Sequence, residues 1–137
     1  MGKSKKPIGI VDGKFYPCPD TPNCVSTLAT DKQHKIDPIK YSGSLNEAKE
    51  NVIKIIDSLK RSKIITNKED YIHAEFRSAT FRFIDDVEFL FDDTEKIINF
   101  RSRARLGHSD MGVNRKRMEN IRNMYINLWL LNTSDFT

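Results

Sequence analysis

Charged side chains recur at every second position in three segments of the chain. They are His73, Glu75 and Arg77 in the first segment, Asp86 and Glu88 in the second, and Arg101, Arg103 and Arg105 in the third. Alternate residues of a β-strand share one face of its sheet, so this spacing would gather all eight on one surface. Guanidinium and carboxylate groups on that surface can pair across strands as a solvated ladder. The same arginines can also hold an anion through paired hydrogen bonds, and the spacing leaves both interpretations open.

Hydrolysis is the catalytic alternative for the same surface. Asp86, Glu88 or His73 would transfer the proton, and the arginines would stabilise a developing oxyanion. A hydrolase of this kind needs one deep pocket that joins the carboxylates to a histidine or a metal. A binding module needs only arginines that converge on a concave surface, and we expect binding rather than catalysis.

The carboxylates of Asp85 and Asp86 do not form an acid–base pair, because adjacent residues of a strand point to opposite faces. Asp85 is therefore expected to point towards the core, where a charge needs partners. The candidates are the backbone N–H groups that open the second predicted helix, or Arg115 and Arg117 on that helix. We expect a structural role for Asp85.

Cys18 and Cys24 are the two cysteines of the chain, separated by five residues. This spacing is not that of a zinc site, and no second pair of cysteines exists, so we expect no metal and no cofactor. In a reducing compartment both would be small buried thiols, whereas in an oxidising compartment they could form a disulfide. No local signature supports a catalytic cysteine with His34, His73 or His108.

A loop with two glycines, residues 106–112, precedes the second predicted helix. A helix N-terminus exposes backbone donors that can bind phosphate, and we include Asn114 and Arg115 at this helix start among the candidate ligand residues. The loop is no P-loop, because Lys and Ser or Thr do not follow its second glycine. The other interpretation is a loop that needs its glycines only to turn.

The elements that would position these residues are two helices and four strands. Ser44 and Glu47 form a capping box at the start of a helix over residues 45–62, whose apolar positions repeat every three or four residues. Strands are predicted at 64–66, at 71–78, at 82–91 after a break at Ala79 and Thr80, and at 96–105. A second helix is predicted over 113–131.

The predicted fold is α+β: a four-stranded antiparallel meander with two helices packed on one face and an extended N-terminal arm. Residues 1–44 form the arm, 45–131 the α-β-β-β-β-α domain and 132–137 a frayed tail. The core side of the sheet carries Ile72, Ala74, Phe76, Val87, Phe89, Phe91, Ile98 and Phe100. The arm is expected to be held by Ile8, Ile10, Val11, Phe15, Val25, Leu28, Ile36 and Ile39.

Length and composition limit the classes of function. With 137 residues the chain is one domain, and its net charge of +4 is too modest for a dedicated nucleic-acid binder. No apolar run is long enough for a membrane span or a signal-peptide core. We expect a cytoplasmic protein as the chain is given, or a periplasmic or membrane-anchored one if an N-terminal signal has been removed.

Three blocks resemble a bacterial and plastid family of unknown function, domain of unknown function 1499. They are Cys-Pro-Asp-Thr-Pro-Asn-Cys-Val-Ser at 18–26, Phe-Ile-Asp-Asp-Val-Glu-Phe at 83–89, and Arg-Ser-Arg-Ala-Arg-Leu-Gly-His-Ser-Asp-Met-Gly-Val-Asn-Arg-Lys-Arg at 101–117. The last block in that family usually begins Arg-Ser-Ala-Ser-Arg, so Arg103 and Ala104 depart from it. The resemblance implies a fold unit and no established activity.

The function expected from these observations is a non-catalytic module. Its Arg-rich sheet face would bind an anionic small molecule, a lipid head group or a protein partner. A small hydrolase and a purely structural or interaction domain are the alternatives.

Overall fold

The computed structural model describes residues 8–79, 83–107 and 109–134. Four short strands come first: β1 (Ile10–Val11), β2 (Lys14–Phe15), β3 (Cys24–Ser26) and β4 (Ile39–Lys40). Helix α1 (Leu45–Ser58) follows, then β5 (Ser62–Lys68), β6 (Tyr71–Arg77), β7 (Ile84–Asp92) and β8 (Ile97–Ala104). Helix α2 (Val113–Ser134) completes the order. Among the described residues, no helix has both the length and the apolar character that crossing a bilayer requires.

The main sheet has six strands, so the prediction of four is wrong. Its order is β3-β8-β7-β6-β5, with β4 also paired to β8, and the strand pairs are antiparallel. The predicted meander is its β5–β8 part. The leader adds β3 and β4 one after the other along the outer edge of β8, where they cover an edge that would otherwise be unpaired. Strands β1 and β2 form a separate two-stranded hairpin.

Helix α1 begins with the predicted capping box. The Ser44 hydroxyl accepts from the Glu47 backbone N–H at 3.1 Å, and the Ser44 N–H donates to Glu47 Oε1 at 2.9 Å. Gly43 precedes it with a φ of +84°, and a Cβ there would lie 2.4 Å from Glu47 Oε1. The cap therefore requires glycine. The helix ends at Ser58 rather than 62, and β5 already begins at Ser62.

Both helices pack their apolar stripes against one face of the sheet. That face carries every core residue predicted from the period of two, and all of them are buried in one cluster. From the helices, the buried members of the cluster are Ala48, Val52, Ile55, Ile56, Met118, Ile121 and Tyr125. Two helices on the same side leave the opposite face of the sheet for other contacts.

The leader is held partly as predicted. Phe15, Val25, Ile36 and Ile39 are buried, whereas Ile10, Val11 and Leu28 are exposed and Ile8 is half-buried. The predicted break at Thr80 and the start of the third strand at Arg82 lie outside the described residues, as do residues 1–7, His108 and 135–137. Helix α2 extends through Ser134, three residues beyond its predicted end.

If the leader is part of the core, its buried isoleucine should matter and its exposed one should not. Ile39 is 1% exposed and Ile10 is 37% exposed. Ile39→Ala should lower the free energy of unfolding by about 2–5 kcal/mol, measured by urea denaturation. Ile10→Ala is the matched control and should stay within about 0.5 kcal/mol of wild type. Equal, small effects would contradict the assignment of β4 to the core.

Candidate functional site

The face of the sheet opposite the helices is polar. We call polar face the set formed by Tyr71, His73, Glu75, Asp86, Glu88, Arg101, Arg103 and Arg105. In the strand register His73 lies opposite Glu88, which lies opposite Arg101. In the neighbouring row Glu75 lies opposite Asp86, which lies opposite Arg103. Arg105 follows the end of β8, where its backbone N–H still bonds the Ile84 carbonyl at 2.9 Å.

The polar face is not a solvated ladder, because it is buried. Glu88 is 0% exposed, Arg101 1%, Asp86 3%, and His73 and Arg103 7% each. Residues 9–24, which we call the covering segment, contact the face at Gly9, Pro17 and Cys24. The Gly9 N–H donates to Glu88 Oε2 at 2.7 Å, and the Pro17 carbonyl accepts from Arg101 Nη2 at 3.4 Å. Cys24, at the end of the segment, lies beside Arg103 in the register of β3 and β8.

Glu88 is the most deeply buried carboxylate of the polar face and accepts three hydrogen bonds. Arg101 Nη1 donates to its Oε1 at 3.0 Å. The Tyr71 hydroxyl donates to its Oε2 at 2.6 Å, and the Gly9 N–H donates to the same oxygen. Burial, and next the hydrogen bond to Glu88, raise the pKa of Tyr71, so the phenol keeps its proton and remains a donor.

Asp86 is the second carboxylate of the polar face whose two oxygens are both hydrogen-bonded. His73 Nε2 lies 2.9 Å from its Oδ1, and Arg105 donates to both of its oxygens at 2.7 and 3.0 Å. Burial acts to raise the pKa of Asp86, but the hydrogen bonds from His73 and Arg105 outweigh it, and the pKa lies below its ordinary value. The hydrogen bond with Asp86 raises the pKa of Arg105, which also donates to Glu75 at 2.9 Å.

Arg103 differs from its neighbours in having no partner among the residues that the structure describes. Within residues 8–79, 83–107 and 109–134 no hydrogen bond or ion pair reaches its guanidinium, and its Nε is enclosed without an acceptor. Burial and the adjacent charge of Arg101 lower the pKa of Arg103, although an arginine keeps its proton at neutral pH. The structure thus places a buried guanidinium with unused donors between carboxylates that bond to other groups.

The remaining candidates lie away from the polar face. Asp85 points to the core side as predicted and pairs with Arg117 at 2.8 Å. Asn114 also lies on the core side of the sheet, and its Oδ1 accepts a hydrogen bond from the Ser102 hydroxyl at 2.5 Å. Arg115 donates to the backbone carbonyls of Gln33 and Lys35, at 3.0 Å each. Neither Asn114 nor Arg115 can therefore join Arg103 at a common ligand.

The two cysteines form a disulfide, Cys18–Cys24, which is one of the two states that the sequence left open. Cys18 directly follows Pro17, so the disulfide ties the covering segment to β3 beside the polar face. His34 is buried, and its ring bonds Asp31 at 2.5 Å and the Thr21 carbonyl at 2.7 Å. His108 lies outside the described residues. No cluster of His, Cys, Asp or Glu in the described part of the chain could hold a metal ion.

Sequence reasoning missed Tyr71, Gly9 and Pro17 as members of the site. Tyr71 has the same strand parity as His73 and Glu75, so the period of two could have found it. Gly9 and Pro17 contact residues 79 and 84 positions away in the chain. No local sequence pattern predicts contacts between residues that are so far apart in the chain.

The match to known proteins agrees with the three sequence blocks. Residues 14–124 match the family described as protein of unknown function (DUF1499). The chain belongs to this family. The matched range runs from β2 into α2 and so includes both sides of the sheet. No curated protein matches the chain significantly.

The buried Glu88–Arg101 pair should be a large contributor to stability in this DUF1499 protein. Glu88→Gln leaves the Arg101 charge uncompensated and should cost about 3–5 kcal/mol of unfolding free energy, measured by urea denaturation. The double variant Glu88→Gln with Arg101→Met should regain part of that loss, because no buried charge is then left unpaired. Arg122→Met, whose partner Asp37 is exposed, is the control and should cost at most about 1 kcal/mol. If Glu88→Gln lowers the unfolding free energy by no more than Arg122→Met does, the Glu88–Arg101 pair is not a large contributor to stability.

The lowered pKa of Asp86 predicts a dependence of stability on pH. A carboxyl whose pKa is lower in the folded state stabilises the fold above its unfolded pKa of about 3.9 and loses that contribution as pH falls through the folded value. Asp86→Asn should therefore melt below wild type at neutral pH, and the difference should shrink as pH falls below about 4. A melting difference that stays constant from neutral pH to about pH 3 would contradict this account.

Proposed function

We propose that this DUF1499 protein is a non-catalytic module that binds an anionic small molecule at Arg103 of the polar face. The observation that carries the proposal is the buried guanidinium without a partner in the described residues. Leaving a buried donor unsatisfied costs about 1–3 kcal/mol, and more when the group is charged. A ligand oxygen that accepts from Arg103 removes this cost, so the fold supplies part of the binding energy in advance.

The carboxylates of the polar face favour binding over hydrolysis. A general base needs an oxygen that can take a proton from a substrate. Asp86 and Glu88 each accept three hydrogen bonds from this chain's own donors, and those donors include two arginines. Such contacts weaken a carboxylate as a base, since they stabilise its ionised form.

The covering segment favours a small ligand over a membrane or a protein partner. Arg103 is nine-tenths buried, and its register neighbour Cys24, at the end of the covering segment, belongs to the disulfide. A lipid surface or a folded protein would have to displace this segment to reach the guanidinium. A small anion needs only enough room for its own acceptor atoms.

The direct test compares Arg103→Met with wild type in thermal melting, with and without added sodium acetate, phosphate or sulfate at constant ionic strength. At least one of these anions should raise the melting temperature of wild type, because an anion that binds the folded state alone adds about 2.7 kcal/mol at 100 times its dissociation constant. Arg103→Met should abolish that increase. Arg122→Met removes a positive charge from α2, away from the polar face, and should retain it.

The stability of Arg103→Met without added anion gives a second readout. An arginine kept for a ligand contributes little to the fold, so this variant should be at least as stable as wild type. A loss of about 3 kcal/mol or more, comparable with that expected for Glu88→Gln, would make Arg103 a structural residue. That loss, or the failure of every tested anion to raise the wild-type melting temperature, would overturn the proposal.

A further inference from the structure

We infer that the ligand bound at Arg103 carries a single negative charge, as a monocarboxylate does, and that doubly charged anions are rejected. This inference rests on the proposed function and concerns the class of ligand. It follows from the charges that surround Arg103 on the polar face. A site that merely attracts anions would instead favour the more highly charged ligand.

The carboxylates of the polar face are already paired with guanidinium groups other than Arg103 before any ligand binds. Three guanidinium groups, Arg101, Arg103 and Arg105, share the face with three carboxylates, Glu75, Asp86 and Glu88. Arg101 pairs with Glu88, and Arg105 pairs with both Asp86 and Glu75. In the described part of the chain, Arg103 is the one guanidinium among these three that forms no ion pair with a carboxylate. One cation is therefore available to be matched by one anionic group.

Desolvation makes a second ligand charge costly. The Born cost of moving an ion from water into a protein interior grows with the square of its charge and is already large for a single charge. The attraction to Arg103 grows only in proportion to the charge. A second negative charge would also lie close to two carboxylates of β7, which would repel it. They are Asp86, which lies opposite Arg103 in the register, and Glu88.

Donor geometry favours a carboxylate among singly charged groups. A guanidinium presents parallel N–H donors in one plane, and the two oxygens of a carboxylate lie in one plane at a matching spacing. A planar carboxylate group is also thin, which suits the buried guanidinium of Arg103. A neutral amide of the same shape offers one acceptor oxygen and forms weaker hydrogen bonds, because neither charge nor a second acceptor assists them.

Four small probes separate charge from shape. Sodium acetate is the planar monoanion and acetamide is its neutral counterpart. Sodium methanesulfonate is a tetrahedral monoanion and sodium sulfate is its doubly charged counterpart. Each is titrated at neutral pH and constant ionic strength against wild type, Arg103→Lys and Arg103→Met, and the melting temperature is followed to obtain apparent affinities.

The inference predicts that acetate binds wild type at least about tenfold more tightly than sulfate, a difference of about 1.4 kcal/mol. Methanesulfonate should fall between them, and acetamide should not bind measurably. Arg103→Lys should lose the preference for acetate over methanesulfonate, because lysine lacks the planar fork.

Sulfate that binds as tightly as acetate, in a manner abolished by Arg103→Met, would overturn this inference and leave the proposed function standing. Acetamide that binds as tightly as acetate would also overturn it, because charge would then not matter. The absence of any effect that depends on Arg103 would overturn both the inference and the proposed function.

Discussion

The buried ion pair between Glu88 and Arg101 is the interaction on which the rest of the polar face depends. It lies at the centre of the sheet, between β7 and β8, and neither side chain reaches solvent. A buried carboxylate needs several donors, and Glu88 obtains the others from Tyr71 on β6 and from the Gly9 backbone. The pair thus fixes the neighbouring strand and holds the leader over the face. Arg101 adds a second anchor at the Pro17 carbonyl.

The sheet consequently separates two kinds of interior. On one side the apolar stripes of α1 and α2 pack on alternate strand residues and supply hydrophobic stabilisation. Asp85 and Ser102 interrupt that side near the start of α2, where Arg117 and Asn114 satisfy them. On the other side, among the described residues, every charged member of the polar face except Arg103 is paired with an opposite charge. A fold selected for stability alone gains nothing from such a group, and this is why we propose that Arg103 binds a ligand.

Features with a local period were predictable from the sequence, and features that depend on distant contacts were not. The alternation that places Ile72, Phe89 and Phe100 in the core also places His73, Glu88 and Arg101 on the opposite face, and both assignments agree with the structure. Strands β3 and β4 have three and two residues, too few to show a period. Burial of the charged face follows from contacts of the leader across most of the chain, so the period of two alone left a solvated ladder open as one interpretation.

Binding of an anion at Arg103 can be observed directly in a side-chain NMR titration of the arginine Nε–Hε resonances with sodium acetate. The Arg103 signal is assigned from its absence in Arg103→Lys. The binding proposal predicts that the Arg103 resonance shifts and saturates, while the resonance of Arg105, whose Nε already donates to Asp86 at 3.0 Å, stays in place. An Arg103 resonance that does not move, or a uniform shift of all three arginines that never saturates, would contradict it.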